Sequence, residues 1–202
     1  MYLFETMRVD EGEISRKVYH TRRIAQSAER LGYRFDNEKW EDYLEAICAK
    51  HANGVWRLKV MLEKDGSLTH QIVELPKKSS FSAHFELIDY QFPEWQYTCK
   101  TSERGHVAHS HITDVVLYYD AAGKVLEFDI GNVVVEEEGQ WYTPPFENDF
   151  LKGCMRQAML DKGQLQLRTY QVDELKEKLR SGQARIFLIN SLREVADIRI
   201  NL

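Results

Sequence analysis

Hairpin signals and helix periodicities succeed one another in this sequence in an order that excludes a strict alternation of strands and helices. Apolar runs over residues 55–63 and 68–75 flank Asp65-Gly66, a pair that between such runs predicts an antiparallel hairpin. Two helix patterns precede this hairpin, and strand patterns dominate the rest of the chain. Such mixing is typical of α+β proteins. We therefore predict an α+β fold with a small α/β domain over residues 1–93 and a larger, β-rich domain over residues 94–202.

The small domain is predicted to contain two helices. Apolar residues recur at three- and four-residue steps over residues 17–31, and Gly32 follows as a stop. Asp36 can cap a second helix, which Asn53-Gly54 ends. Strand patterns cover residues 2–9 and 84–92 on either side of these elements.

The larger domain shows strand patterns with shorter helices between them. A helix is expected soon after Lys100, and Pro144-Pro145 interrupts the strands. The remaining strand patterns cover residues 114–119, 124–129, 132–138, 140–143 and 185–190, and helix patterns cover residues 151–160 and 173–180.

Charge and composition exclude several classes of protein. The 27 Lys and Arg against 32 Asp and Glu give a formal net charge of -5, whereas a sequence-independent grip on nucleic acid needs a basic surface. No stretch approaches about 18 uninterrupted apolar residues, and the start lacks the pattern of a secretory signal. We therefore expect neither a nucleic-acid nor a membrane partner, and a cytoplasmic location. The 3 cysteines are widely spaced, which favours reduced thiols.

Two clusters of ionisable residues resemble metal or catalytic sites only superficially. His106 and His109 would share a helix face, but His111 would not, and no carboxylate completes a ligand set. The three glutamates at residues 136–138 alternate faces in a strand and precede Gly139, which favours a solvated hairpin tip. We therefore predict no metal site. The sequence also lacks the nucleophile elbow of serine hydrolases and the usual glycine-rich nucleotide loops.

A set of separated motifs, by contrast, keeps the order and spacing of one family. The set comprises Phe4-Glu5-Thr6-Met7-Arg8, the segment 20–28, Lys100-Thr101-Ser102, Glu127 with Asn132, Thr143-Pro144-Pro145, the segment 151–156 and Asn190-Ser191-Leu192-Arg193. Together these segments resemble the class IV aminotransferase family, which binds pyridoxal phosphate. The opening motif, the Lys100 motif and the closing motif most resemble the 4-amino-4-deoxychorismate lyases of that family.

The resemblance implies an architecture. It predicts a fold type IV enzyme with a small α/β domain and a larger β-rich pseudo-barrel domain, and a chain that starts later than the stand-alone lyases. It also implies a homodimer and a cofactor pocket between the two halves of the chain.

The chemistry of pyridoxal phosphate assigns a role to each motif residue that the resemblance provides. The cofactor is an electron sink, held covalently by a lysine and protonated at its ring nitrogen. The resemblance makes Lys100 the catalytic lysine and Glu127 the partner of the ring nitrogen, with Asn132 as a further cofactor-binding residue. A lysine that serves as nucleophile and base must be unprotonated for part of the reaction. Because desolvation disfavours the protonated amine, we expect Lys100 in a desolvated pocket.

The cofactor phosphate requires a cation, a hydroxyl and backbone amides. The resemblance supplies Arg23 from the first helix, Ser191 after the last predicted strand, and the amides of Cys154 and Met155 behind Gly153. Cys154 is expected to contribute its backbone and to pack as a small side chain.

Substrate carboxylates are expected to bind Arg8 and Arg104, since a planar guanidinium can hold both oxygens of a carboxylate. An ion pair at the strand edge is an equal alternative for Arg8. The sequence departs from the family pattern at Phe128, Asp129 and Val134, which follow the motif positions around Glu127 and Asn132.

Three functions remain open from the sequence. The leading one is the lyase reaction that yields 4-aminobenzoate and pyruvate for folate biosynthesis. The second is an aminotransferase acting on branched-chain or D-amino acids. The third is a member of the family without cofactor or activity.

Overall fold

The computed structural model describes residues 1–107 and 112–202. These residues form two compact units: the first consists of Met1–Lys77 and Cys99–Glu103, and the second of Lys78–Thr98 and Arg104–Leu202. The units differ from the predicted division at residue 93, because the chain leaves the first unit earlier and returns to it briefly around Lys100. None of the helices in the described ranges combines the length and apolar character needed to cross a membrane.

The first unit is a four-stranded antiparallel sheet with two helices. Its strands lie in the order β2-β1-β3-β4. The strands are β1 (Leu3–Asp10), β2 (Glu13–Ile14), β3 (Val55–Leu62) and β4 (Leu68–Glu74), and the helices are α1 (Lys17–Leu31) and α2 (Asn37–Lys50). Every second residue of β1 is buried, so one face of the sheet joins α1 and α2 in an apolar core.

The local signals in the first unit act as predicted. Gly32 takes a left-handed conformation and its amide bonds back to the end of α1. The Asp36 side chain accepts a hydrogen bond from the Lys39 amide, which caps α2. Gly66, with φ at 87°, makes the turn between β3 and β4. The predictions for both helices and for this hairpin are confirmed.

The second unit is built around a sheet that closes on itself. Its strands are β5 (Ser80–Leu87), β6 (Val115–Tyr119), β7 (Val125–Phe128), β8 (Gly131–Glu137), β9 (Gln140–Thr143), β10 (Gln166–Leu167), β11 (Arg185–Asn190) and β12 (Glu194–Asn201). The strand order is β10-β9-β8-β11-β12-β5-β6-β7, and β7 also pairs with β8. That last pairing joins six strands into a ring, the pseudo-barrel of the prediction.

The ring encloses an apolar core, and three helices belong to the same unit. The helices are α3 (Glu94–Thr98), α4 (Cys154–Asp161) and α5 (Val172–Arg180). Valines and other apolar residues of the ring strands pack with residues of α5, whereas α4 packs with residues of β11 in a separate cluster. This packing sets the start of α4 close to the hairpin of β7 and β8, where the motif residues of the second unit converge.

Candidate active site

Lys100 lies on a short extended segment that pairs with β1. The Phe4 amide donates to the Lys100 carbonyl at 3.0 Å, and the Ser102 amide donates to the Tyr2 carbonyl at 2.9 Å. The intervening Thr101 is fully buried. The Lys100 side chain is half-buried, and its Nζ lies 4.9 Å from the centre of the Phe4 ring. The backbone of the motif is therefore fixed, and its lysine is partly desolvated against an aromatic ring.

Arg23 is held by a buried carboxylate of β1. Its Nε and Nη2 donate to the two oxygens of Glu5 at 2.8 and 2.5 Å, and His20 Nδ1 lies 2.7 Å from the same carboxylate. Burial on its own raises the pKa of Glu5, but the charge of Arg23 and the hydrogen bonds from His20 and Arg23 lower it from 4.5 to about 2. Glu5 is thus ionised at neutral pH and fixes the direction of the guanidinium.

Arg8 forms an ion pair on its own strand. Its Nη2 lies 2.7 Å from Asp10 Oδ2, and both side chains are partly exposed. This contact matches the alternative expected for Arg8. A carboxylate ligand at Arg8 would have to compete with Asp10, so the substrate role of Arg8 stays a prediction.

In the second unit, Glu127 and Asn132 face each other across the β7–β8 hairpin. Glu127 Oε1 accepts from the Leu151 amide at 3.0 Å, and Asn132 Nδ2 donates to the Leu151 carbonyl at 3.0 Å. Asn132 Oδ1 accepts from the Gly153 amide at 2.9 Å. The two motifs, though distant in sequence, therefore form one hydrogen-bonded network that fixes the Glu127 carboxylate.

Gly153 is required by the close approach of Asn132. A Cβ at this residue would lie 2.2 Å from Asn132 Oδ1. Gly153 is the N-cap of α4 and has no side chain to bond the amides of the first turn, which belong to Cys154, Met155 and Arg156. The buried Cys154 and its neighbour Met155 therefore begin a helix whose amides suit an anion.

Ser191 lies in the tight turn between β11 and β12. Asn190 Oδ1 accepts from the amides of Leu192 and Arg193 at 3.0 and 2.8 Å, and Asn190 Nδ2 donates to the Ile130 carbonyl at 3.1 Å. Asn190 thereby ties the turn that carries Ser191 to the β7–β8 hairpin.

Arg104 and the departures from the family pattern also have defined surroundings. Arg104 Nη2 donates to the Asp129 carbonyl at 3.1 Å, and the Asp129 side chain accepts from the Val116 amide at 3.0 Å. Phe128 and Val134 are fully buried in apolar clusters of the second unit. These three departures thus contribute to packing and to the backbone of the sheet.

Arg156 supports the site, although the sequence motifs assign it no role. It is 2% exposed, and its Nη2 donates to the Pro144 carbonyl at 2.7 Å. Burial lowers the pKa of Arg156 to about 10, against the opposing charges of Glu127 and Asp149. Arg156 thereby links the Pro144-Pro145 motif to α4. In the sequence, Arg156 is indicated by its place at the end of the 151–156 motif. Glu5 carries a different signal: a charged residue at an inward position of β1.

The ionisable clusters set aside in the sequence have ordinary surroundings where the structure describes them. Glu137 pairs with Arg168 at 2.8 Å and Lys178 at 3.0 Å. His106 lies in a single 3-10 turn, Gly105–Val107, against the Tyr97 ring, where burial and then the charge of Arg104 lower its pKa to about 4. His109 and His111 lie outside the described residues. Between Lys100 and that gap, the described residues form the 3-10 turn Gly105–Val107 where a helix was expected.

The donor set in each unit fits pyridoxal phosphate. The first unit offers a half-buried lysine and an arginine fixed by Glu5. The second offers a carboxylate held by Leu151 and Asn132, a serine in a tight turn, and the start of α4, where Gly153 brings no capping side chain. A lysine amine, a carboxylate for a ring nitrogen, and cation, hydroxyl and amide donors are the groups that this cofactor requires.

Similar proteins share both the sequence and the fold. The chain matches the family described as amino-transferase class IV over residues 2–200. A Schizosaccharomyces pombe protein described as a candidate aminodeoxychorismate lyase is 31% identical over 211 residues, which span 96% of this chain and 87% of the relative.

Solved structures of the same fold include two aminotransferases. A candidate amino-acid aminotransferase from Mesorhizobium loti has a TM-score of 0.83 at 24% identity, with 99% of each chain covered. The PLP-bound form of a hypothetical aminotransferase from Mycobacterium tuberculosis has a TM-score of 0.80 at 20% identity, covering 99% of this chain and 81% of that chain. These likenesses confirm the predicted α+β fold.

Proposed function

The chain belongs to the class IV amino-transferase family of pyridoxal-phosphate-dependent enzymes, and from this premise we propose that it is an aminodeoxychorismate lyase. The reaction converts 4-amino-4-deoxychorismate into 4-aminobenzoate and pyruvate, a step of folate biosynthesis. The network of Glu127, Asn132 and Gly153 carries the cofactor part of the proposal. The Schizosaccharomyces pombe relative favours the lyase reaction over transamination.

Each cofactor-binding residue has a defined task in this proposal. When bound, pyridoxal phosphate supplies an electron sink for negative charge that develops on the substrate. Glu127 holds a proton at the ring nitrogen, because Leu151 and Asn132 keep its carboxylate in place. Arg23, Ser191 and the amides of Cys154 and Met155 bind the phosphate.

Lys100 carries the proton transfers. Its Nζ would hold the cofactor and, as a neutral amine, would take a proton from the substrate and return it. The enolpyruvyl group leaves as pyruvate, and formation of the aromatic ring favours the products. Arg8 and Arg104 are the proposed partners of the substrate carboxylates.

Covalent labelling tests the cofactor assignment. The purified protein is incubated with pyridoxal phosphate, its visible absorbance is recorded, and the complex is reduced with borohydride before peptide mass mapping. We expect a visible band and a label on Lys100, both lost in Lys100→Ala and both kept in the control Lys64→Met. A protein that gains neither band nor label is the inactive family member instead.

A product assay then separates the two reactions. The lyase proposal predicts equal amounts of 4-aminobenzoate and pyruvate from 4-amino-4-deoxychorismate, with no need for a keto acid. An aminotransferase would instead convert the cofactor to its amine form with an amino donor, and a keto acid would restore it. If Lys100 is labelled but the protein shows only transamination, the lyase reaction is rejected and the cofactor assignment is kept.

We also propose that the chain forms a homodimer, as the family resemblance implies. The 23.8 kDa chain would then have about twice that mass in solution.

A further inference from the structure

A second lysine shares the aromatic ring that Lys100 contacts. Lys59 lies on β3 and pairs with Thr6 of β1. Phe4 is two residues before Thr6, so Lys59 and Phe4 are diagonal neighbours on the same face of the sheet. Its Nζ lies 4.5 Å from the centre of the Phe4 ring, and Lys100 Nζ lies 4.9 Å from the same centre. Both ammonium groups are therefore gathered around one side chain of β1.

The other contact of Lys59 adds no negative charge. Its Nζ donates to the Tyr2 hydroxyl at 3.1 Å and lies 5.1 Å from the Tyr2 ring, which packs edge-on against Phe4. Within the described part of the chain, Tyr2 and Phe4 are the partners that the structure gives to Lys59. These contacts are a hydroxyl and two aromatic rings, so they bring no carboxylate to Lys59.

Further cations lie on the same face of the sheet as Lys59. Arg8 and Arg57 lie opposite each other on β1 and β3, and Asp10 pairs with Arg8. On the segment of Lys100 itself, Glu103 is exposed and Cys99 is a buried thiol. Lys59, Arg8 and Arg57 thus place three cations on this face of the sheet, and Lys59 shares the Phe4 ring with Lys100.

We propose that Lys59 is a positioning residue for Lys100, which it keeps partly unprotonated through like-charge repulsion and holds in place through Phe4. The inference rests on the proposed function, in which Lys100 Nζ must accept protons. A like charge close to an ammonium disfavours its protonated form, more so where both groups are partly desolvated. An aromatic ring that attracts both cations keeps them close despite their repulsion.

The test measures the proton affinity of Lys100 in the full-length protein without cofactor. Lysines are reductively methylated with 13C-formaldehyde, and the Lys100 signal is assigned by its loss in Lys100→Arg. The pKa of Lys100 is then followed by NMR in the unsubstituted chain, where we expect a value at least about 1 below the ordinary 10.4. A value of 10.4 or above overturns the proposal without any variant of Lys59.

Matched variants separate charge from packing. Lys59→Met removes the charge and keeps an unbranched stem, so it should raise the pKa of Lys100 by about 1, whereas Lys59→Arg should leave it low. Lys64→Met is the control, because Lys64 Nζ lies 5.2 Å from a different ring, that of Tyr33. An unchanged Lys100 in Lys59→Met, or an equal rise in Lys64→Met, contradicts the inference.

The result does not depend on the reaction. Labelling by borohydride decides whether Lys100 binds the cofactor, and the titration decides whether Lys59 acts on Lys100. The cofactor assignment and the role of Lys59 can therefore be rejected independently of each other.

Discussion

At the scale of single residues, Glu5 shows what one charge in a strand can organise. It occupies an inward position of β1 between the apolar Leu3 and Met7, and it binds both His20 and Arg23. Because a buried carboxylate without partners would be costly, the ionisation of Glu5 depends on its contacts with Arg23 and His20. Arg23 keeps one orientation as a result, which a phosphate ligand needs.

Replacing this carboxylate should weaken both the fold and the site. The folded-state pKa of Glu5 is about 2, below its ordinary 4.5, so its ionisation stabilises the fold fully above pH 4.5 and progressively less as the pH falls toward 2. We expect Glu5→Gln to lower the free energy of unfolding at pH 7 by about 3 kcal/mol. Urea denaturation between about pH 6 and about pH 3 should show a flatter pH dependence in the variant.

Glu29→Gln provides the control, since Glu29 is an exposed residue of α1. Its free energy of unfolding should stay within about 0.5 kcal/mol of the unsubstituted chain. If Glu5→Gln behaves like this control, the ion pairs of Glu5 contribute nothing to stability.

The residue scale also shows what the sequence could and could not reveal. Lys100 and Arg23 stand in motifs that resemble those of the family, so the resemblance is what makes them candidates. The partners Glu5 and Arg156 act through contacts with residues far along the chain, such as Arg23 and Pro144. The motifs include these residues, but the sequence does not show which distant residues their side chains contact.

At the scale of elements, the start of α4 depends on the absence of one methyl group. Gly153 has φ at -69°, a conformation open to any residue, so the constraint is space and not backbone strain. Gly153→Ala would press a Cβ against Asn132, which also holds Glu127 and Leu151. The substitution should therefore displace the whole network.

We expect Gly153→Ala to lower the free energy of unfolding by about 1–3 kcal/mol and to weaken pyridoxal phosphate binding at least about tenfold. Thermal unfolding and a titration of the visible band measure the two effects. Gly105→Ala is the control, because a Cβ there would meet the Phe92 ring at an ordinary 3.8 Å. Unchanged cofactor affinity in Gly153→Ala would show that the network does not support the site.

Elements were predictable where local signals were strong. Asp36 and Gly32 bound the two helices as expected, whereas β12 follows the predicted last strand without having been predicted. Asp197, Arg199 and Asn201 alternate along β12 with Ile198 and Ile200, which pack against the core of the second unit. The backbone of β12 is hydrogen-bonded to β11 on one side and β5 on the other, and these partners lie elsewhere in the sequence.

At the scale of the whole molecule, the chain divides into two units, but not at the predicted residue 93. β5 follows the first unit in sequence, yet it pairs in parallel with β6 and with β12 near the end of the chain. The pairing with β12 joins residues as far apart as Ser80 and Asp197, and it leaves no local mark at Pro93. The Lys100 segment returns to β1 for the same reason, through backbone bonds that no motif encodes.

The closure of the ring through β7 and β8 has a consequence for how the chain meets other copies of itself. A sheet is a template for added strands only where it ends, and within the described residues β5, β6, β11 and β12 have a neighbour on each side. The branch that leaves the ring ends in the two-residue β10. In the first unit, β4 is an outer strand of seven residues, mostly exposed and including His70, Gln71 and Glu74. Edge strands that are short or mostly polar disfavour pairing with another chain, so we expect the protein to resist aggregation even without bound cofactor.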